Sequence, residues 1–191
     1  MNVFDFDGTL YRGDSTLDFW LYSTVRHPAC LLALPRQLFA AAQYAAGRIS
    51  RETFKEHFYG FLRHIPNTSQ AVVDFWNARQ TKLRSDVLAR ISEGDLVASA
   101  SPEFLLSEIC RRRHWELIAS EVDPRTGQLL GPNCRGSEKV ARIQKAGYTE
   151  RFDQGYSDSL SDAPLMTLTQ EAFLVRKHQI APFPSNKSAS N

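Results

Sequence analysis

The chain has 191 residues, 42% of them hydrophobic and 23% charged, with a formal net charge of +2. That length holds one ordinary domain, or a domain with a sizeable insertion, and the composition argues against disorder and gives no sign of nucleic-acid binding. Cys30, Cys110 and Cys134 are few and odd in number and lack a C-x-x-C spacing, so neither a disulfide framework nor a zinc site is expected, and the setting reads as reducing and cytoplasmic.

The opening run, MNVFDFDGTL, reads as a short buried strand, Val3 to Phe6, that empties into a loop at Gly8. Two carboxylates, Asp5 and Asp7, stand where a signal peptide would need a basic segment followed by an apolar run, so export by that route is not expected. From Leu17 to Ile91 the pattern is helical, with breaks at Pro28, at 47–50 and at 66–69. Ser50, and Thr68 or Ser69, look like helix starts. This block is basic, with ten Lys and Arg against five Asp and Glu between Ser15 and Arg90. Its apolar stretch 29–46 is interrupted by Pro35, Arg36, Gln37 and Gln43, too short and too broken to span a bilayer. Leu31, Leu34, Leu38, Ala42 and Ala45 recur at helical spacing and predict a buried or interfacial face.

After Gly94 a second strand, Leu96 to Ala100, runs into Ser101, Pro102 and Glu103, which suit the cap, first position and first turn of a helix to about Arg113. A third strand is predicted over Leu117 to Val122, with a turn at 124–127 and a short return at 128–130. Then come a helix from Ser137 to Ala146, a strand from Phe152 to Tyr156 ending in SDSLSDAPLM, and one more strand over Ala172 to Val175. Strands alternating with helices predict an α/β fold, a Rossmann-like, mostly parallel sheet covered on both faces. The predicted layout is a core of 1–14 and 89–181, an all-helical insertion over 15–88, and a mobile Pro-, Ser- and Asn-rich tail at 182–191.

Open parallel sheets bind ligands at the carboxyl ends of their strands, which gathers Asp5 and Asp7, Ser99 to Ser101, and Asp158 with Asp162 at one crevice. Four carboxylates together repel one another unless a cation sits among them, and an all-oxygen donor set that also meets a phosphate favours Mg²⁺. The Ser99 hydroxyl and the Ala100 and Ser101 amides, ahead of a helix, suit a phosphate, as does the ammonium of Lys139 in GSEKVARI. Ser101 is read first as a helix cap. Arg12, Arg48 and Lys55 are read as a charged solvated face, and Phe54 and Phe58 as part of the insertion's own core.

Taken in order, DFDGTL, VASASP, the lysine of GSEKVARI and YSDSLSDAPL resemble the four motifs of the haloacid dehalogenase superfamily. The resemblance implies that Asp5 is a nucleophile carrying an aspartyl-phosphate and that Asp7 is the general acid/base. It also implies that Mg²⁺ is held by Asp5, the main-chain carbonyl at Asp7 and Asp158. Ser99, Ala100 and Lys139 would then bind the phosphoryl oxygens, with Thr9 and Asp162 in support. Dehalogenating members lack an acid at the Asp7 position, so its presence favours phosphate chemistry. The insertion after the first motif resembles the helical cap (C1 type) of the phosphoserine-phosphatase-like subfamily, without that enzyme's recognisable carboxylate-gripping residues. The stretch 29–46 with GYSDSLSDAPLM is similar to bacterial phosphatidylglycerophosphate phosphatases. These resemblances imply a phosphomonoesterase for a small phosphorylated metabolite or a lipid headgroup, with peripheral contact of the cap at a membrane surface. Phosphoryl transfer to an acceptor other than water, and a non-catalytic phosphate-binding module, are the alternative readings.

Overall fold

A computed structural model describes residues 1–177 and 179–184. One six-stranded sheet forms the core in the order β3-β2-β1-β4-β5-β6. Its strands are β1 (Val3–Phe4), β2 (Leu96–Pro102), β3 (Glu116–Ser120), β4 (Phe152–Ser157), β5 (Thr169–Arg176) and β6 (Gln179–Pro182). All neighbours pair in parallel except β5 and β6. Both faces of the sheet are covered, as successive side chains of the central strands show. Phe4 and Val97 enter one apolar cluster, while Val3, Leu96 and Ala98 enter the other.

The first cluster lies under α6 (Glu103–Arg113) and the helical insertion, and the second under α7 (Ser137–Lys145) and α8 (Ala163–Met166). Across the sheet centre, Phe4 stacks on Tyr156 at 4.7 Å and Tyr156 on Phe173 at 5.0 Å, which ties β1, β4 and β5 together on one face.

Between β1 and β2 lie α1 (Ser15–Arg26), α2 (Leu34–Ala45), α3 (Arg51–Tyr59), α4 (Thr68–Arg79) and α5 (Ser85–Leu88), joined partly by 3₁₀ turns. Asp14, Ser50 and Asn67 accept hydrogen bonds from the main-chain N–H groups of Leu17, Thr53 and Gln70, so α1, α3 and α4 start on side-chain caps. The insertion rests on the core through Trp76, whose indole donates to the Leu105 carbonyl at 2.7 Å. It also rests on the 123–130 turn. There Gly127, at φ +77°, lies so close to the Tyr59 main chain that a Cβ would collide with it.

Several boundaries differ from the expectations. The second strand continues through Ser101 to Pro102, and Pro102 holds the helix cap position with no side-chain cap bond, because the Ser101 hydroxyl is turned to another task described below. Asn67, not Thr68 or Ser69, caps α4. The first strand pairs only over Val3–Phe4, and the third ends at Ser120, with Val122 and Leu129 making an isolated antiparallel bridge. The last predicted strand is longer, and an edge strand follows it, so the expected tail begins inside β6. Residues 185–191 of that tail lie outside the described residues. Of the two expectations for the stripe through Leu31 and Leu38, a buried or an interfacial face, burial does not hold, because the stripe faces outward. Leu31 and Leu38 are 47% and 62% exposed, while the covered side carries Gln37 and Ala40, with the Gln37 amide donating to the Phe58 carbonyl at 2.7 Å.

Candidate active site

The carboxyl ends of β1, β2 and β4 meet at a cavity of about 380 Å³, lined among others by Asp5, Asp7, Ser99, Ala100, Ser101, Lys139, Asp158 and Asp162. The first-motif loop is shaped by Gly8, whose φ of +77° suits glycine and whose position leaves no room for a Cβ beside Asp158 Oδ2. Thr9 holds the other end of that contact, its hydroxyl accepting from the Asp158 main-chain N–H at 2.9 Å. Thr9 is fully buried, so its part is to fix the fourth-motif loop against the first.

Lys139, 2% exposed, reaches from α7 between two carboxylates, donating to Asp5 Oδ1 at 2.6 Å and to Asp162 Oδ2 at 2.8 Å. Ser157 donates to the same Asp162 oxygen at 2.7 Å. Burial works against the Lys139 charge, but Asp5 and Asp162 outweigh it and hold the ammonium above its ordinary range. Asp162 stands at the start of α8 without capping it. The same environment acts oppositely on Asp5. Burial pushes its carboxyl up to about 7, with Lys139 opposing and Asp162 and Asp7 adding repulsion. Among the described residues no donor meets Asp5 Oδ2, which leaves that oxygen free at the cavity.

Asp7 is held on both oxygens. Oδ1 accepts from the Ser15 main-chain N–H at 2.7 Å, at the first turn of α1, and Oδ2 accepts from the Ser101 hydroxyl, which also meets Thr16 Oγ1 at 3.0 Å. Burial raises the Asp7 carboxyl to about 6, with Asp14 adding repulsion and the Ser101 and Ser15 bonds opposing. Asp158 is raised too, by burial and then by Asp162. Ser99 is 1% exposed, and its hydroxyl accepts from the Ser101 main-chain N–H at 3.1 Å.

All eight site residues expected from the sequence are thus brought to this end of the sheet, Thr9 behind the cavity wall and the rest lining it. Ser101 is corrected from a helix cap to a partner of Asp7. Lys55 is corrected from a solvated face: its ammonium enters the cavity from α3 and donates to the Ala100 carbonyl at 2.7 Å and to Asn133 Oδ1 at 2.6 Å. Burial lowers it to about 8, with Arg51 and Arg135 adding repulsion against the pull of Asp14 and Asp7. Phe54 and Phe58 line the same cavity. The signal for this wall was a lysine at the centre of an aromatic helix face, Phe54-Lys55-Phe58, where a cation needs a partner. Asn133 and Arg135 stand just ahead of the Lys139 motif and were not singled out.

Among the described residues no three His, Cys, Asp or Glu side chains are grouped to hold a metal ion. A cation here needs main-chain or ligand oxygens as well. The donor set fits a hard cation in kind: the Asp5 and Asp158 carboxylates and the Asp7 main-chain carbonyl offer only oxygen at one cavity.

A parallel sheet with acids and a buried lysine at the crevice of its strand ends is the frame of the haloacid dehalogenase-like hydrolases, and the model of that family matches residues 3–167. The chain belongs to this family. Among solved structures it is similar to a protein of unknown function from Bordetella pertussis Tohama I, with 23% identity and a TM-score of 0.70 over 90% of this chain and 87% of that one. It is also similar to a probable phosphoserine phosphatase from Vibrio cholerae, with 12% identity and a TM-score of 0.60 over 90% and 55% of the two chains. A hydrolase of the same family from Salmonella enterica serovar Typhi matches with 12% identity and a TM-score of 0.59 over 88% and 59%. This chain therefore spans under two thirds of the Vibrio and Salmonella chains, and at these identities the likeness is one of fold.

Proposed function

We propose that the protein is a Mg²⁺-dependent phosphomonoesterase that carries the phosphoryl group on Asp5 during turnover. The observation that supports this best is the Asp5 carboxylate, with one oxygen fixed by Lys139 and the other free at the floor of the cavity. A carboxylate so held is ready for in-line attack on phosphorus, which splits one hard displacement into two. Asp7, raised toward neutrality, gives its proton to the departing alkoxide and then takes one from the attacking water. To do so it exchanges the Ser101 hydroxyl for the substrate oxygen. Ser99, the amide of Ala100 and Lys139 spread the charge of the phosphoryl oxygens. A magnesium ion held by Asp5, the Asp7 main-chain carbonyl and Asp158 would supply further charge neutralisation there. The insertion serves as a cap over residues 15–88 that limits water at the reacting centre.

The cap's outer face supports a peripheral place at an anionic membrane. Among the described residues, the exposed large apolar side chains outside 17–39 are Met1, Leu130 and Leu160. Within that stretch are Leu17, Leu21, Val25, Leu31, Leu32, Leu38 and Phe39. Leu17, Leu21 and Val25 are spaced four apart on α1, one stripe that begins at the cavity rim. Arg26, Arg36 and Arg48 accompany them, and the acid of this stretch, Asp18, is taken by Lys82 and Tyr11. An apolar face edged with cations suits an anionic bilayer surface. Among the described residues no helix is long and apolar enough to cross one.

Phosphate release from a panel of small and lipid phosphomonoesters, with Mg²⁺ or EDTA, tests the reaction. Metal-dependent release lost in Asp5→Asn is expected, and release that survives in that variant would overturn it. Co-sedimentation with phosphatidylglycerol vesicles at low salt, lost in Leu38→Ser/Phe39→Ser, tests the surface, and equal binding to phosphatidylcholine would contradict the charge argument.

A further inference from the structure

The cavity has two unlike walls. Four carboxylates of its floor already have partners: Asp5 and Asp162 share Lys139, Asp7 has Ser15 and Ser101, and Asp14 caps α1, while Asp158 is left for the cation of the phosphatase reading. The facing wall is cationic. Along α3, Arg51, Phe54, Lys55 and Phe58 stand at spacings of three, four and seven from the first, so they share one helix face, and all four line the cavity. Arg135 joins them from the loop ahead of α7. Among the described residues none of Arg51, Lys55 and Arg135 has a carboxylate at ion-pair distance. Lys55 is bound only to neutral acceptors, the Ala100 carbonyl and the Asn133 amide oxygen, and two bonds leave one of its three N–H donors over. The Asn133 oxygen is itself fixed by the Ser120 hydroxyl at 3.1 Å, and both residues are buried, so the ammonium is held at a set place.

A half-buried ammonium with neutral partners and a spare donor, flanked by two guanidinium groups at the rim, is an incomplete site. An anion completes it. The transferred phosphate does not, because Lys139, Ser99 and the Ala100 amide belong to it on the phosphatase reading, on which this inference rests. We infer that Arg51, Lys55 and Arg135 form a second anion subsite, so that the substrate is a phosphomonoester bearing another negative group, a carboxylate or a phosphodiester, with an apolar portion against Phe54 and Phe58. Lys55 sets the specificity, and Arg51 and Arg135 draw the second charge to the mouth. Because Lys55 also bonds the Ala100 carbonyl of the phosphate loop, occupation of the second subsite ties α3 to the reacting end.

The test uses three synthetic phosphomonoesters on one three-carbon chain, ending in a methyl group, a carboxylate or a methyl phosphodiester. The intact protein with Mg²⁺ is expected to prefer the charged ends in kcat/KM by about tenfold or more, the worth of one charge-assisted hydrogen bond. That ratio is expected to fall toward one in Lys55→Met, and also in Arg51→Gln/Arg135→Gln, whose exposed rim positions leave folding undisturbed. The carboxylate and phosphodiester arms separate a small acid from a headgroup. Dissociation constants of the same compounds on the Asp5→Asn protein give a readout independent of turnover. A preference there with no hydrolysis of any compound would overturn the phosphatase reading and keep the subsite. Hydrolysis with equal kcat/KM for all three, or a preference that survives both variants, would overturn the subsite and leave only charge compensation of the acidic floor.

Discussion

The acidic floor and the basic wall of the cavity hold their charges in different ways. On the floor, opposite charges meet directly: Lys139 lies 2.6 Å from Asp5 and 2.8 Å from Asp162, and all three are buried. On the wall, Lys55 meets only a carbonyl and an amide, across a contact between the insertion and the core. On the phosphatase reading proposed above the floor acts on the phosphoryl group, with Asp7 held from the insertion by the Ser15 main-chain N–H. The wall is completed by what binds and by where the cap stands. On the proposed reading, reaction and selection fall to separate parts of one cavity.

The largest expected effect strikes the floor. Asp5→Asn keeps the shape but removes the attacking charge, and turnover is expected to fall by roughly a thousandfold or more in a phosphate-release assay. Lys139→Met leaves Asp5 and Asp162 buried without their shared cation, so urea unfolding should show a loss of about 3 kcal/mol or more, along with most of the activity. A loss below about 1 kcal/mol would erase the contrast drawn here between floor and wall. Gly8→Ala forces a side chain onto Asp158 at a positive φ, and is expected to cost roughly 1–3 kcal/mol in the same measurement and to weaken the metal dependence of turnover.

The wall responds to pH. The folded protein releases the Lys55 proton near 8, against an ordinary value of 10.5, because burial opposes the charge. Between these values the unfolded chain binds more protons, so this group makes native stability rise as pH climbs from about 8 toward 10.5. The difference in unfolding free energy between wild type and Lys55→Met should therefore shift in favour of wild type by roughly 1–3 kcal/mol over that window. A flat difference would show that the ammonium is not desolvated.

The same contrast explains what the sequence disclosed. Asp5, Asp7, Ser99, Asp158 and Asp162 were legible because each belongs to a short local signal after a strand, and a parallel sheet brings its strand ends together by rule, while Lys139 was legible through the motif at the start of α7. The Ser101 hydroxyl was misread because Ser-Pro-Glu is a good helix start, whereas the buried Asp7 carboxyl competes for the same oxygen and wins. Lys55, Asn133 and Arg135 meet only when α3 docks on the core, and no local pattern encodes that contact. Periodicity found the apolar stripe through Leu31 and Leu38 but does not say which side a neighbour covers. Gln37, anchored on the Phe58 carbonyl, turns the leucines outward.

The central claim is that phosphorus is transferred to Asp5. Rapid acid quench of the protein with Mg²⁺ and a ³²P-labelled phosphomonoester that it turns over, followed by peptide mapping, addresses that claim directly. The account predicts a base-labile, hydroxylamine-sensitive label on the Asp5 peptide, absent from Asp5→Asn and formed no more slowly than product. Steady turnover with no label at any quench time, or with the label on another residue, would contradict it.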